Sequence, residues 1–271
     1  MKHRIFFKVL AFCLCWSFSV GRIWAQERQF SINEKTGEIN NCKLIKLIGK
    51  AKPTENTTNQ VSIAIQKSLY KKIKKKGDDL FSMMTSDKKH FICFDDSHGG
   101  YLNALYFFDS KLKLVNKYIF EEIQILDVYF NDPETFLCIS GPFNGDFYFF
   151  TPDGKLQNHG NFNELTGDKR TSYGKINISQ DGSIYILPNN STYIFDKNDQ
   201  LISTINNFAS SSCIDEENKN IYLALNKKLA IYNYRNKKVS YTCESKFESL
   251  RIKNKKIFLK LNNLSYEYSI N

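Results

Sequence analysis

The chain has 271 residues, with 38 Lys plus Arg against 28 Asp plus Glu and a formal net charge of +10. Residues 1–25 hold four of the basic residues (Lys2, Arg4, Lys8, Arg22) and no acidic one, so the remainder carries 34 against 28, a net +6 of mixed sign, which argues against a general nucleic-acid surface. Both Trp residues, Trp16 and Trp24, also fall in that first segment; a chain left with Tyr and Phe alone is a poor candidate for a dedicated lectin.

The first residues, MKHRIFFKVLAFCLCWSFSVGRIWAQ, give a basic start, an apolar run ending near Val20 and a small residue, Ala25, before Gln26. This layout predicts a secretory signal peptide over 1–25, and the clean apolar stretch from Val9 to Val20 is too short for a spanning helix. The expectation is an exported, periplasmic or extracellular protein with no stable membrane span after cleavage, and a single domain over 26–271. Five cysteines remain there: Cys42, Cys93, Cys138, Cys213 and Cys243. They are sparse, odd in number and without framework spacing, so most read as small buried apolar residues, with room for one disulfide.

Residues 28–48 contain two candidate strands around Thr36-Gly37. KPTENTTNQ at 52–60 is a polar loop. Val61, Ile65, Leu69 and Ile73 then recur at i+4, with Thr58 as an N-cap candidate and Gly77 as a C-cap candidate, which predicts a short helix near 59–76; Val61, Ile63 and Ile65 also alternate as a strand would. Lys71, Lys72, Lys74, Lys75 and Lys76 crowd its end, where the helix dipole favours cations. They read either as a solvated helix end or as a contact with an anionic surface.

From residue 80 onward, runs rich in Ile, Phe, Tyr and Leu alternate with polar turns. This predicts an all-β protein. The runs group in fours, at 81–120, 125–162, 175–208 and 212–244, with a last set of three at 249–270. Phe107, Phe149, Ile194 and Ile231, in the third run of each full set, are 42, 45 and 37 residues apart. Four-stranded repeats of that length are β-propeller blades: five are countable and six conceivable if 28–79 supplies another. FFDSKLKL at 107–114, FFTPDGKL at 149–156 and IFDKNDQL at 194–201 then become the same hairpin corner of successive blades. Cys93 and Cys138, in FICF and FLCI, are expected at matching positions. The incomplete last set would expose an edge, so one N-terminal strand is expected to close the ring.

The stretch DGSIYILPNNSTYIFDKNDQLI at 181–202 resembles the repeats of NHL-like and related secreted six-bladed β-propellers. Asp181-Gly182, Ile184-Tyr185-Ile186 and Phe195-Asp196 follow the repeat's order. Asn233-Tyr234 and Glu267-Tyr268 depart from it. The resemblance implies a propeller over about residues 80–270, of a kind that includes binding scaffolds, lactonase- and lyase-like enzymes and sensors; the fold does not choose among them.

No zinc, phosphate-loop or calcium-loop motif is present, and no cofactor is called for. His98-Gly99-Gly100 lacks a nucleophile elbow to serve as an esterase oxyanion hole. Loop length points further. DDSHGG at 95–100, GPFNGD at 141–146, PNNS at 188–191 and the linker 163–174 elaborate one side of one face, and place Asp95, Asp96, His98, Asn144, Asp146, Asp168, Lys169 and Arg170 there. These residues read as ordinary Asp- and Gly-rich hairpins, as a recognition site for a protein, peptide or glycan, or as a divalent-cation site using Asp95, Asp96, His98 and Asp146. The sequence favours a non-enzymatic binding scaffold. The alternative is a hydrolase or lyase acting on a sugar, lactone or similar small substrate.

Overall fold

The computed structural model describes residues 28–29, 31–32, 39–42, 45–50, 61–73, 80–96, 101–125, 127–131, 134–141, 145–169, 174–225, 228–244, 247–253, 256–261 and 264–270. The N-terminal part gives β1 (Arg28–Gln29), β2 (Ser31–Ile32), β3 (Ile39–Asn40), β4 (Ile45–Lys50) and helix α1 (Ile63–Ile73). Blade 1 follows as β5 (Leu80–Met84), β6 (His90–Asp96), β7 (Tyr101–Asp109) and β8 (Leu114–Ile125). Blade 2 is β9 (Asp127–Phe130), β10 (Leu137–Ser140), β11 (Asp146–Phe150) and β12 (Leu156–Asn161), after which comes a short helix, α2 (Phe162–Thr166). Blade 3 is β13 (Asn177–Ile178), β14 (Ile184–Pro188), β15 (Thr192–Asp196) and β16 (Leu201–Ile205). Blade 4 is β17 (Ala209–Asp215), β18 (Asn220–Leu225), β19 (Lys228–Asn233) and β20 (Lys238–Glu244), and blade 5 is β21 (Phe247–Lys253), β22 (Lys256–Leu261) and β23 (Leu264–Ile270). Among the described residues the fold is a β-propeller of five sheets, the consecutive strands of each blade pairing antiparallel.

The fifth blade acquires its fourth strand from the other end of the chain. β4 pairs antiparallel with β23, Ile45 opposite Ile270. β1 lies parallel on β20, as a fifth strand of blade 4. A strand from the N-terminal stretch therefore completes the last set, as the unpaired edge required. β2 and β3 pair Ile32 with Ile39, a small hairpin beside it; its expected turn at Thr36-Gly37 lies outside the described residues.

The recurring corner has a specific backbone origin. The ladder between third and fourth strands slips by one residue at Phe107/Phe108, Phe149/Phe150, Ile194/Phe195 and Ile231/Tyr232, and at Glu267/Tyr268 in blade 5. The extra residue of each slip lies in the fourth strand (Val115, Gln157, Ile202 and Ser240 in blades 1 to 4), while the third strand alternates regularly and buries two consecutive side chains because both of its faces are packed. Phe149 packs in the layer between blades 2 and 3, Phe150 in that between blades 1 and 2. Ile194 and Phe195, and Ile231 and Tyr232, divide the same way between the next and the preceding interface. In blade 1, Phe107 faces blade 2, and Phe108 packs with Val61 and Leu69 of the α1 segment. The i+4 stripe thus folds as the helix it suggested, in the place a preceding blade would take. In blade 5 the anchor position is Glu267, which pairs with Lys256.

The two thiols correct a reading of the sequence. Cys138 lies opposite Phe149, whereas Cys93 lies opposite Tyr106, one step off the equivalent Phe107–Ile92 pair. A one-residue offset in a period-two element flips the side chain. Cys93 accordingly faces α1 and Cys138 faces blade 3. Cys93, Cys138, Cys213 and Cys243 are buried and Cys42 is half-buried.

Candidate functional site

The connections between second and third strands, and those leading to the next blade, share one end of each sheet. At that end the described residues of blades 2 and 3 are linked into a rim. Asn161, the last residue of β12, is the N-cap of α2: its side-chain oxygen accepts hydrogen bonds from the backbone N–H of Asn163 (2.9 Å) and Glu164 (3.3 Å). Its amide donates to the Asp146 carboxylate at 2.7 Å. Gly167 ends the helix in the left-handed region (φ 72°) and donates back to the Asn163 carbonyl, as a glycine C-cap does. Thr166 secures the same turn, its hydroxyl donating to the Phe162 carbonyl (2.8 Å) and accepting from Asp168 N–H (3.1 Å).

Two links carry the rim across to blade 3. The Tyr193 hydroxyl of β15 donates to the Asp168 carboxylate, and burial, then this contact with a carboxylate, pushes the Tyr193 phenol up to about 12. The Asn189 amide donates to the Lys169 carbonyl at 3.1 Å. On the other flank Phe162 N–H donates to the Gly145 carbonyl (2.8 Å), and a side chain at Gly145 would meet Asn163 at 3.1 Å. Loop, helix and strand ends are therefore fastened to one another by short polar bonds, and Glu164, Asp168 and Lys169 remain exposed on top. Below the rim, Tyr148 stacks on the exposed His159 ring (5.7 Å, 22°), on the sheet face shared by Asp146 and Asn161.

The structure thus joins Asp146, Asp168 and Lys169 through α2. It moves Asp95, Asp96 and Asp146 out of the loops assigned to them: β6 runs on through Asp96, with a register shift after Phe94, and Asp146 opens β11. His98, Asn144 and Arg170 lie outside the described residues, as do Lys74, Lys75 and Lys76. Lys71 and Lys72 are exposed on the last turn of α1. Among the described residues, no three His, Cys, Asp or Glu side chains gather as metal donors would.

α2 spans the end of the second set and the start of the linker assigned to 163–174, and Asn161, Asn189 and Tyr193 join the site without a signal from loop length. The clue was present: Asn161 followed three residues later by Glu164, then Gly167, is a helix start and stop.

No family model and no curated protein matches the sequence. Among solved structures the chain is similar to the Dos1 propeller (TM-score 0.49, 15% identity, 67% of this chain and 50% of that one). It is also similar to the C-terminal WD40 domain of Sif2 (TM-score 0.47, 13% identity, 70% and 57%). A third is the Cps50 (Swd1) β-propeller domain of Myceliophteria thermophila (TM-score 0.48, 9% identity, 67% and 62%). The match spans about half to three-fifths of those chains, and the propeller assignment rests on the five sheets and their repeated bulges.

Proposed function

We propose that the protein is an exported, non-enzymatic β-propeller scaffold that recognises a protein, peptide or glycan through the rim of blades 2 and 3. The observation that carries this reading is α2. A five-residue helix inserted between two blades, capped at both ends and bonded to the loops on either side, fixes exposed polar groups without contributing a large core of its own. A rigidly held polar surface is what recognition requires, because little ordering cost is left for binding. Export is supported by the layout of residues 1–25, and the order Asp181-Gly182, Ile184–Ile186, Phe195-Asp196 supports an NHL-like origin.

The test is affinity capture from envelope and extracellular extracts of the source cells, using residues 26–271, a span that contains every described sheet. A second bait carries Glu164→Ala, Asp168→Ala and Lys169→Ala. A partner held by the first bait and lost by the second is the expected result. The same partners on both baits, or none on either, would remove the rim as the recognition surface.

A further inference from the structure

We propose that the corner where α1 meets the outer strand of blade 1 docks on an anionic lipid bilayer. Helix α1 is 11 residues long, about 16 Å at the rise of an α-helix. It covers Phe91, Cys93, Ala104, Tyr106 and Phe108 of blade 1, which belong to the two middle strands. Among the described residues, nothing covers the outer strand, β8, on that side. Its even residues Asn116, Tyr118 and Phe120 face blade 2, through the bond from Asn116 to the Gly154 carbonyl and the aromatic contacts of Tyr118 and Phe120 with Phe150 and Tyr148. Leu114, Lys117 and Ile119, opposite Phe108, Tyr106 and Ala104, therefore point to the side of α1, and Val115 is the unpaired residue of the bulge. Lys117 lies over the Tyr106 ring at 5.2 Å, beside the helix, and Val115 and Ile119 are 45% and 61% exposed.

The helix presents the same pairing of chemistries. Ile63, Lys67 and Lys71 recur at i+4 on its exposed side, and Ile63 is 71% exposed. The Lys72 ammonium donates to the Leu112 carbonyl, which fastens the end of α1 to the turn between β7 and β8. That turn adds the exposed Lys111 and Lys113, and next to it Leu114 is 43% exposed. Asp109 beside them has its carboxylate occupied by the backbone N–H groups of Lys111 and Lys113. Aliphatic side chains from two elements thus stand among six lysines at one corner.

The occupant follows from that mixture. A second copy would bring the same lysines and be repelled. A nucleic acid would leave the aliphatics in water and find no exposed stacking ring there. An anionic bilayer satisfies both halves, with ammonium groups at the headgroup phosphates and Ile63, Leu114 and Ile119 at the boundary with the acyl chains. No helix among the described residues is long and apolar enough to cross a membrane, so the contact is peripheral. It is independent of the rim on blades 2 and 3.

The test uses residues 26–271 and vesicles of phosphatidylcholine, alone or with about one-third phosphatidylglycerol. This span has no tryptophan, so Ile119→Trp supplies a single reporter at the proposed contact. The expected result is flotation with the anionic vesicles only, weakened by salt, with a blue shift of the introduced indole's emission and its quenching by brominated acyl chains. Changing Lys67, Lys71, Lys111 and Lys113 to Gln should weaken binding by roughly fivefold per lysine, with the unfolding midpoint unchanged. No binding to anionic vesicles overturns the proposal. So does binding without a shift of the indole emission, or binding that survives loss of the four lysines.

Discussion

Gly154, at the corner of blade 2, answers to two constraints at once. Its φ is +90°, and a Cβ there would stand 2.5 Å from the Phe107 ring of blade 1. Gly167 shares the left-handed backbone (φ +72°) but has open space around it. Gly167→Ala should therefore cost only the conformational penalty, about 1–2 kcal/mol, and Gly154→Ala about 2–4 kcal/mol once the forced repacking is added. Urea unfolding of both variants checks this, and equal losses would show that Phe107 yields freely. The thiols give a second prediction. Burial pushes Cys93 up to about 12 and Cys243 up to about 11 from the ordinary value of 9.0. The native chain then keeps protons that the unfolded chain releases, so stability is whole below pH 9 and falls as pH rises from 9 through 11 to 12. Urea midpoints should drop across that window. At about pH 8, just below the ordinary thiol value, a thiol reagent should modify the half-buried Cys42 ahead of the four buried cysteines, and all five in denaturant. Rapid modification of Cys93 in the native protein would contradict its burial.

At the level of elements, α2 depends on one side chain. Asn161→Ala removes two cap bonds and a bond to Asp146, and should cost about 1–2 kcal/mol; thermal unfolding reads the loss, and amide exchange at Asn163 and Glu164 should rise with it. How far each element could be foreseen follows from its length and period. The third strands were legible because both of their faces are packed, so that consecutive side chains such as Phe107 and Phe108 are both large and apolar. Helix α1 was legible because Val61, Ile65, Leu69 and Ile73 keep one spacing over three turns. Helix α2 was not, since five residues hold too little periodicity and only its caps mark it. The two residues of β1 are shorter than one alternation, and their parallel pairing with β20 leaves no turn to read. The thiols misled for a related reason: FICF and FLCI look alike, yet in strands the phase, and not the composition, decides the face. Asp146 and Asp168 were placed on the right end by loop length, but their linkage depended on Asn161 and Tyr193, which loop length cannot reveal.

For the molecule as a whole, the N-terminal strands bear on blades 4 and 5. A chain beginning at residue 51 would lack β4 and β1, leaving the β23 edge open. Such edges pair with other chains, so this truncation should elute as oligomers in size-exclusion chromatography and scatter light on mild heating; a monodisperse monomer of unchanged midpoint would show that β4 is dispensable. The same pairing sets a timetable for folding. A chain that emerges N-terminus first can assemble blades 1 to 3 as they appear, since each is contiguous in sequence. β4 has to wait, because Ile45 meets Ile270 only when the end of the chain arrives. Its backbone goes without that partner until the last strand is made. High contact order slows the last step, so the protein locks into its final state late and in one move.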